Sequence, residues 1–135
     1  MNVLFVCVAN SGRSVLSEYL LRETAGDRHD ARSAGSQPGP APHPQVVEVL
    51  GELGIDASGH VPHQLDREAT EWAEVVVATC DDACPVVPDK RYISWQLPDP
   101  KNQPIERVRE LRDEISERIR DLVHELDWNT HLARA

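Results

Sequence analysis

The sequence lacks any apolar run near the roughly 18 residues that a membrane-spanning helix needs. Its first eight residues have neither a basic start nor a small-residue cleavage site, so they do not indicate an export signal. Glycine and proline, at 7 and 10 residues of 135, are too few for a collagen-like or low-complexity chain. We therefore expect a globular, cytoplasmic protein with no membrane partner.

Basic residues and cysteines are also scarce. The 14 lysines and arginines are outnumbered by 23 acids, and the net charge of −9 argues against a nucleic-acid partner. An anionic substrate would need a local region of positive charge at its binding site. The three cysteines, Cys7, Cys80 and Cys84, are an odd number in a chain without an export signal. This favours metal or thiol chemistry over a disulfide scaffold.

The length and patterning predict one α/β domain over residues 1–128, followed by a polar tail, 129–135. Short apolar strands are predicted at 3–6, 31–34, 75–78 and 91–95. Helices are predicted from Arg13 to near Gly26, over 45–53, and along the apolar stripe from Ile105 to Leu126. Alternating strands and helices imply right-handed crossovers. The expected architecture is therefore a three-layer α/β/α domain with a four-stranded parallel sheet.

Reactive side chains follow three of the predicted strands. Cys7 ends the first strand, Cys80 follows the third, and Asp99 follows the fourth. Ligands of parallel sheets bind beyond the carboxyl ends of the strands. We therefore expect these three residues to lie at one edge of the sheet.

The segment from Cys7 to Ser14 has the composition of an oxyanion-binding loop. Successive backbone N–H groups and a helix N-terminus can converge on a tetrahedral anion, and the guanidinium of Arg13 can grip two of its oxygens. The same field favours the thiolate of Cys7, which is the nucleophilic form. The alternative is a buried core cysteine beside an ordinary helical arginine. The candidate oxyanion-binding residues are Val8, Ala9, Asn10, Ser11, Gly12, Arg13 and Ser14.

The motifs of this loop resemble those of the low-molecular-weight protein tyrosine phosphatases and of the arsenate reductases that share their fold. The similar segments are Val-Leu-Phe-Val-Cys at 3–7, Asn-Ser-Gly-Arg-Ser at 10–14, Ser-Ala-Gly at 33–35 and Asp-Pro at 99–100. The resemblance runs over about residues 2–126. It implies that Asn10 holds the shape of the loop, that Ser14 donates a hydrogen bond to the Cys7 thiolate, and that Asp99 is the general acid.

Residues 79–85, Thr-Cys-Asp-Asp-Ala-Cys-Pro, resemble the redox segment of the thioredoxin-coupled arsenate reductases. The resemblance implies that Cys7 attacks arsenate and that Cys80 then releases arsenite by forming a disulfide with Cys7. Cys84 would move the oxidation outward, and thioredoxin would reduce the resulting disulfide. The expected protein is a monomer with a role in arsenic resistance. It has no bound cofactor, and phosphate or sulfate would mimic arsenate.

Three alternatives remain open. The same loop suits a low-molecular-weight tyrosine phosphatase working through a Cys7 phosphocysteine, although Lys101 stands where such phosphatases usually have a tyrosine. Cys80 and Cys84 are also spaced as zinc ligands, and His60 with His63 could complete a tetrahedral site. Finally, Cys80 and Cys84 could be inert core thiols.

The sequence also departs from its relatives at two places. Gly12 stands where many have a second loop cysteine, a thiol that the three-cysteine relay does not use. Some relatives bind a potassium ion beneath the loop, and Asn10, Glu18 and Ser33 match that site. His63, however, stands where the match requires an aspartate, so the ion is not predicted.

Overall fold

The computed structural model describes residues 1–80 and 90–134, with the side chains of the last helix described as far as Asn129. Within these residues, four strands form one parallel sheet in the order β2-β1-β3-β4. The strands are β1 (Asn2–Cys7), β2 (Asp30–Gly35), β3 (Val75–Ala78) and β4 (Arg91–Ser94). The predicted four-stranded parallel sheet is therefore confirmed.

The helices follow the predicted order with one addition. They are α1 (Arg13–Ala25), α2 (Pro44–Gly51), α3 (Arg67–Trp72) and α4 (Ile105–Arg134). The short helix α3 was not predicted, because its six largely polar residues carry no apolar periodicity. Asp66 precedes the helix, and its carboxylate accepts the Ala69 N–H at 2.8 Å and so caps the first turn. No helix within the described residues is long and apolar enough to cross a membrane.

The last helix is longer than the apolar stripe that predicts it. The stripe ends at Leu126, and residues 129–135 were expected to form a polar tail, yet α4 continues to Arg134. The backbone of this segment is therefore helical up to that residue. Polarity alone does not end a helix, and the segment has no proline or glycine that would do so.

Side chains of β1 alternate between the two faces of the sheet, as the period of a strand requires. Val3 and Phe5 belong to the larger apolar cluster, which includes residues of α1, α2 and α4. Leu4 and Val6 belong to a smaller cluster with Trp72 of α3 beside it. The sheet is thus covered on both faces, which leaves its carboxyl edge as the open end of the layers.

The larger cluster should carry much of the stability. Ile119 of α4 is fully buried there, so the substitution Ile119→Ala should lower the free energy of unfolding by about 2–5 kcal/mol. The matched control is Glu117→Ala on the exposed face of the same helix, with an expected change within about 0.5 kcal/mol. Urea denaturation of the three proteins measures both. Equal losses in the two variants would contradict this account of the core.

Candidate active site

The loop that joins β1 to α1 is held from outside by residues 36–43. Four N–H groups of that segment donate to loop carbonyls: Ser36 to Cys7 at 3.2 Å, Gln37 to Val8 at 2.8 Å, Gly39 to Ala9 at 2.9 Å and His43 to Ser11 at 2.8 Å. In a trans peptide the N–H of the next residue points opposite to the carbonyl. The N–H groups of Val8, Ala9, Asn10 and Gly12 therefore face the inside of the loop. With the N-terminus of α1 beside them, they form an oxyanion cradle.

Cys7 lies at the base of this cradle as a buried, free thiol. The backbone N–H of Asn10 donates to its Sγ at 3.1 Å. The Ser14 Oγ lies 2.9 Å from the same sulfur, at the first turn of α1. The sulfur thus sits where two donors can stabilise its negative charge, which is the arrangement that activates a cysteine nucleophile.

Asn10 connects the loop to its surroundings from a left-handed backbone conformation with φ +52°. Its Nδ2 donates to the Ser14 Oγ at 2.8 Å, so the hydroxyl proton of Ser14 is available to Cys7. Its Oδ1 accepts the His63 N–H at 2.9 Å and lies 3.3 Å from the His60 Nε2. Asn10 thus ties the loop to α1 and to the segment before α3.

His60 contacts Asn10, and the zinc alternative stays a sequence-based hypothesis because Cys84 lies outside the described residues. The Nε2 of His60 faces Asn10, and the residue is 8% exposed, whereas the zinc alternative required it as a metal ligand. Burial and the neighbouring His63 lower the pKa of His60, which favours the neutral ring. Among the described residues there is no group of three or more histidine, cysteine or acidic side chains that could hold a metal.

Arg13 links the cradle to the turn that carries Asp99. Its guanidinium donates to the Leu97 carbonyl at 3.0 Å, a contact that the sequence did not predict. The turn after Leu97 lies against the loop between β1 and α1, since a Cβ placed on Gly12 would be 2.9 Å from the Pro100 Cγ. Asp99 is exposed within this turn and accepts the Lys101 N–H at 2.9 Å. Its segment therefore closes one side of the mouth of the cradle.

Cys80 emerges beside Cys7 from the neighbouring strand. Both the N–H and the Oγ1 of Thr79 donate to the Val6 carbonyl, at 2.9 and 3.0 Å, so the chain is still held to β1 just before Cys80. Cys80 is buried and disulfide-bonded. Because Cys7 is a free thiol, that disulfide does not include Cys7. Cys84 lies outside the described residues.

A cavity of about 600 Å³ is lined by Glu18 and Ser33, two of the three residues that match the potassium site of some relatives. Glu18 is 3% exposed there; its Oε1 accepts the Ser33 hydroxyl at 2.6 Å and its Oε2 pairs with Arg22 at 2.9 Å. The amide oxygen of Asn10 also has donors, as described above. These oxygens face a guanidinium and hydrogen-bond donors of the chain itself, so the residues present do not fit a potassium ion.

The geometry of this site agrees with what comparisons with known proteins find. The model of the low-molecular-weight phosphotyrosine protein phosphatases matches residues 2–132. The chain belongs to this family. A putative arsenate reductase of Halobacterium salinarum is 33% identical over 129 residues, which cover 91% of each chain.

Solved structures of the same fold include both reductases and phosphatases. A thioredoxin-dependent arsenate reductase of Corynebacterium glutamicum superposes with a TM-score of 0.79 and 36% identity. The match covers 95% of this chain but 62% of the longer Corynebacterium chain. An arginine phosphatase from Geobacillus stearothermophilus superposes with a TM-score of 0.83 and 28% identity, covering 95% and 94% of the two chains. The predicted family and fold are thus confirmed.

The end of β2 lies so close to the cradle that residue 35 has no room for a side chain. A Cβ on Gly35 would lie 2.4 Å from the Val8 carbonyl oxygen and 2.9 Å from the Asn10 nitrogen, both backbone atoms. We expect Gly35→Ala to displace the loop, to lower the free energy of unfolding by about 1–3 kcal/mol, and to weaken phosphate binding at least about tenfold, the equivalent of roughly 1.4 kcal/mol. Calorimetric titration with phosphate and urea denaturation measure these effects.

Gly51, the last residue of α2, provides the matched control. Nothing lies within 4 Å of a Cβ placed there. Gly51→Ala should therefore leave phosphate binding unchanged and stabilise the helix by up to about 1 kcal/mol. Wild-type phosphate affinity in Gly35→Ala would show that the close approach of β2 does not shape the cradle.

Glu18 should make the free energy of unfolding depend on pH. Burial, its largest influence, raises its pKa above the ordinary value of 4.5, against the opposing effects of Ser33 and Arg22. When the pKa of a carboxyl group is higher in the folded state than in the unfolded state, the group stabilises the fold fully below its unfolded-state pKa. This stabilisation is lost as the pH rises through its folded-state pKa. The stability of wild type relative to Glu18→Gln should therefore decrease as pH rises above 4.5. Urea denaturation at a series of pH values tests this, with exposed Glu23→Gln as control; parallel curves for wild type and Glu18→Gln would refute it.

Proposed function

We propose that this chain is an arsenate reductase, which converts arsenate to arsenite at Cys7 and draws its electrons from thioredoxin. The observation that carries the proposal is the pairing of a free nucleophilic cysteine in an oxyanion cradle with a second cysteine, Cys80, at the end of the adjacent strand. Arsenate reductases among its relatives support the substrate. The thioredoxin-dependent enzyme of Corynebacterium supports the electron donor.

The first step is capture of arsenate in the cradle. The inward N–H groups of the loop, the N-terminus of α1 and the guanidinium of Arg13 supply the positive field that a chain of net charge −9 otherwise lacks. The Cys7 thiolate attacks arsenic, forming a sulfur–arsenic bond while an oxygen departs. Asp99 protonates that oxygen, which leaves as water. Ser14 and the Asn10 N–H stabilise the thiolate before the attack.

The second step reduces the arsenic. The thiolate of Cys80 attacks the Cys7 sulfur, the sulfur–arsenic bond breaks, and its electron pair stays on arsenic, which leaves as arsenite. Two thiol sulfurs have then lost the two electrons that arsenic gained. Cys84 attacks Cys80, which frees Cys7 and leaves a Cys80–Cys84 disulfide for thioredoxin to reduce.

The register of the sheet supports the reach of the second step. Val6 of β1 pairs with Ala78 of β3, so Cys80 is one residue further along than Cys7 on the neighbouring strand. A strand spacing of about 4.8 Å and a rise of about 3.3 Å imply a Cα separation of about 6 Å for such a pair. That value is within the range of about 4.4–6.8 Å that disulfides span. Val6 and Ala78 share one face of the sheet, so strict alternation would put Cys7 and Cys80 on opposite faces. The strand ends at Ala78 and the chain bends at Cys80, and the second step requires this bend to turn Cys80 toward Cys7.

The remaining parts of the proposal concern context. The reaction needs a compartment where thioredoxin keeps thiols reduced, which is the cytoplasm. The cradle, Arg13 and the turn of Asp99 all belong to one chain, so a monomer suffices for catalysis. No bound cofactor, nucleic acid or membrane is required. By this activity the protein would confer arsenic resistance.

The second candidate is a phosphatase that hydrolyses a Cys7 phosphocysteine. Its support is the phosphatase family model and the similarity to the arginine phosphatase. Such an enzyme uses the same cradle and Asp99 but needs neither Cys80 nor Cys84. The second pair of cysteines therefore favours the reductase.

Multiple turnover separates the two functions. We expect arsenate-dependent oxidation of NADPH by wild type with thioredoxin and thioredoxin reductase, and none by Cys7→Ser. Cys84→Ser should fall to about one arsenite per enzyme, because its Cys7–Cys80 disulfide cannot move outward. Cys80→Ser should form the adduct but release no arsenite.

Hydrolysis of an aryl phosphate by the same four proteins completes the experiment, with an arsenate-free mixture as the blank. Aryl phosphate turnover that needs Cys7 but not Cys80, without any reduction of arsenate by wild type, would establish the phosphatase instead. Undiminished turnover of arsenate by Cys80→Ser would disprove the relay.

A further inference from the structure

His43 reaches the mouth of the cradle although no sequence signal marks it. Its backbone N–H donates to the Ser11 carbonyl at 2.8 Å, which fixes the residue against the loop just before α2 begins. A Cβ placed on Gly12 would lie 3.2 Å from the His43 Cδ2 and 2.9 Å from the Pro100 Cγ. The imidazole and the proline ring thus lie on the side of Gly12 where any other residue would carry a side chain.

This position puts a titratable ring among the charged groups of the site. Arg13 at the start of α1, and Asp99 and Lys101 in the turn after β4, all act on the charge of His43. The ring has no hydrogen-bond partner among residues 1–80 and 90–129. The Cδ2 atom that lies beside Gly12 is bonded to Nε2, so this nitrogen lies next to the mouth of the cradle.

We propose that His43 is a proton-linked anion-binding residue, whose imidazole becomes charged as an oxyanion enters the cradle and then helps to hold it. The proposal deepens the proposed function, on which it rests, by assigning a residue to the recognition of the tetrahedral oxyanion. The proton comes from solvent, and no bond to a heavy atom is formed or broken. The ring supplies positive charge only when an anion is present.

The protein's own groups favour the neutral ring of His43. Burial, the largest influence, lowers the pKa of His43, Lys101 and Arg13 lower it further, and Asp99 opposes them. An anion between Arg13 and His43 offsets the repulsion from the two cations, and so it should raise the pKa. By linkage, protonation of His43 must then strengthen anion binding by the same factor.

The test follows the imidazole itself rather than turnover. Nitrogen-15 NMR of the histidine rings is recorded across about pH 5 to 8 with and without saturating phosphate, and the His43 resonance is assigned by its loss in His43→Gln. We expect phosphate to raise the His43 pKa by about one unit, which corresponds to a tenfold tighter complex for the charged ring. The ring of His124, exposed on α4, is the internal control, and phosphate should leave its resonances unchanged.

Calorimetric titration with phosphate supplies the reciprocal measurement. The ratio of wild-type to His43→Gln affinity should rise about tenfold between pH 8 and pH 5, and comparing the two proteins cancels the titration of phosphate itself. His43→Phe keeps a planar ring beside Gly12 without a proton site, so it should behave like His43→Gln. His124→Gln should behave like wild type.

The outcomes distinguish the role of His43 from the arsenate reductase function on which it rests. If phosphate binds but leaves the His43 titration unchanged, or if His43→Phe retains the wild-type pH dependence, the role of His43 is refuted and the reductase stands. If wild type binds no phosphate at any pH while remaining folded by circular dichroism, the oxyanion cradle is refuted, and the proposed function falls with it.

Discussion

The site depends on one constraint: the carbonyls of the loop after β1 must point outward. A loop of five residues would leave its peptide groups free to rotate, and either face could then line the interior. The four N–H donors of residues 36–43 remove that freedom, because they hold the carbonyls of residues 7, 8, 9 and 11 on the outside of the loop. Planarity of the peptide unit transmits the constraint to the opposite face. The inward donors are thus organised before any ligand arrives, so that binding does not have to order them.

The side chains of Asn10 and Arg13 connect this ordered loop to the rest of the molecule. Asn10 joins the loop to α1 through Ser14 and to the segment before α3 through His63, all by hydrogen bonds in a buried region. Arg13 joins the start of α1 to the Leu97 carbonyl, two residues before Asp99. The loop that carries Cys7 and Arg13, the turn that carries Asp99 and the segment before α3 therefore share direct contacts. Displacing any one of them disturbs the alignment of the others.

The sequence predicts what depends on side-chain patterns and chemistry. The apolar runs at 3–6 and 75–78, and the stripe along α4, match the observed elements closely because burial on a sheet face requires them. The loop motif likewise predicts the connection between β1 and α1, which runs from Cys7 to Arg13. The wrapping by residues 36–43 could be predicted only as a loop, since its function lies in backbone N–H groups that no side chain encodes. The role of His43 is similarly hidden, because it depends on the space beside Gly12 in three dimensions.

A covalent adduct at Cys7 can react in two ways, by hydrolysis or by reduction, and the arrangement of the strands decides between them. Water attacking the central atom of the adduct completes hydrolysis and leaves the oxidation state unchanged. A thiolate attacking the sulfur instead returns an electron pair to the central atom, which arsenic(V) accepts readily and phosphorus(V) does not. The neighbouring strand end that holds Cys80 beside Cys7 is what makes the second route available. The same cradle can therefore serve a hydrolase or a reductase, and the difference lies in one thiol on the adjacent strand together with the element that the cradle holds.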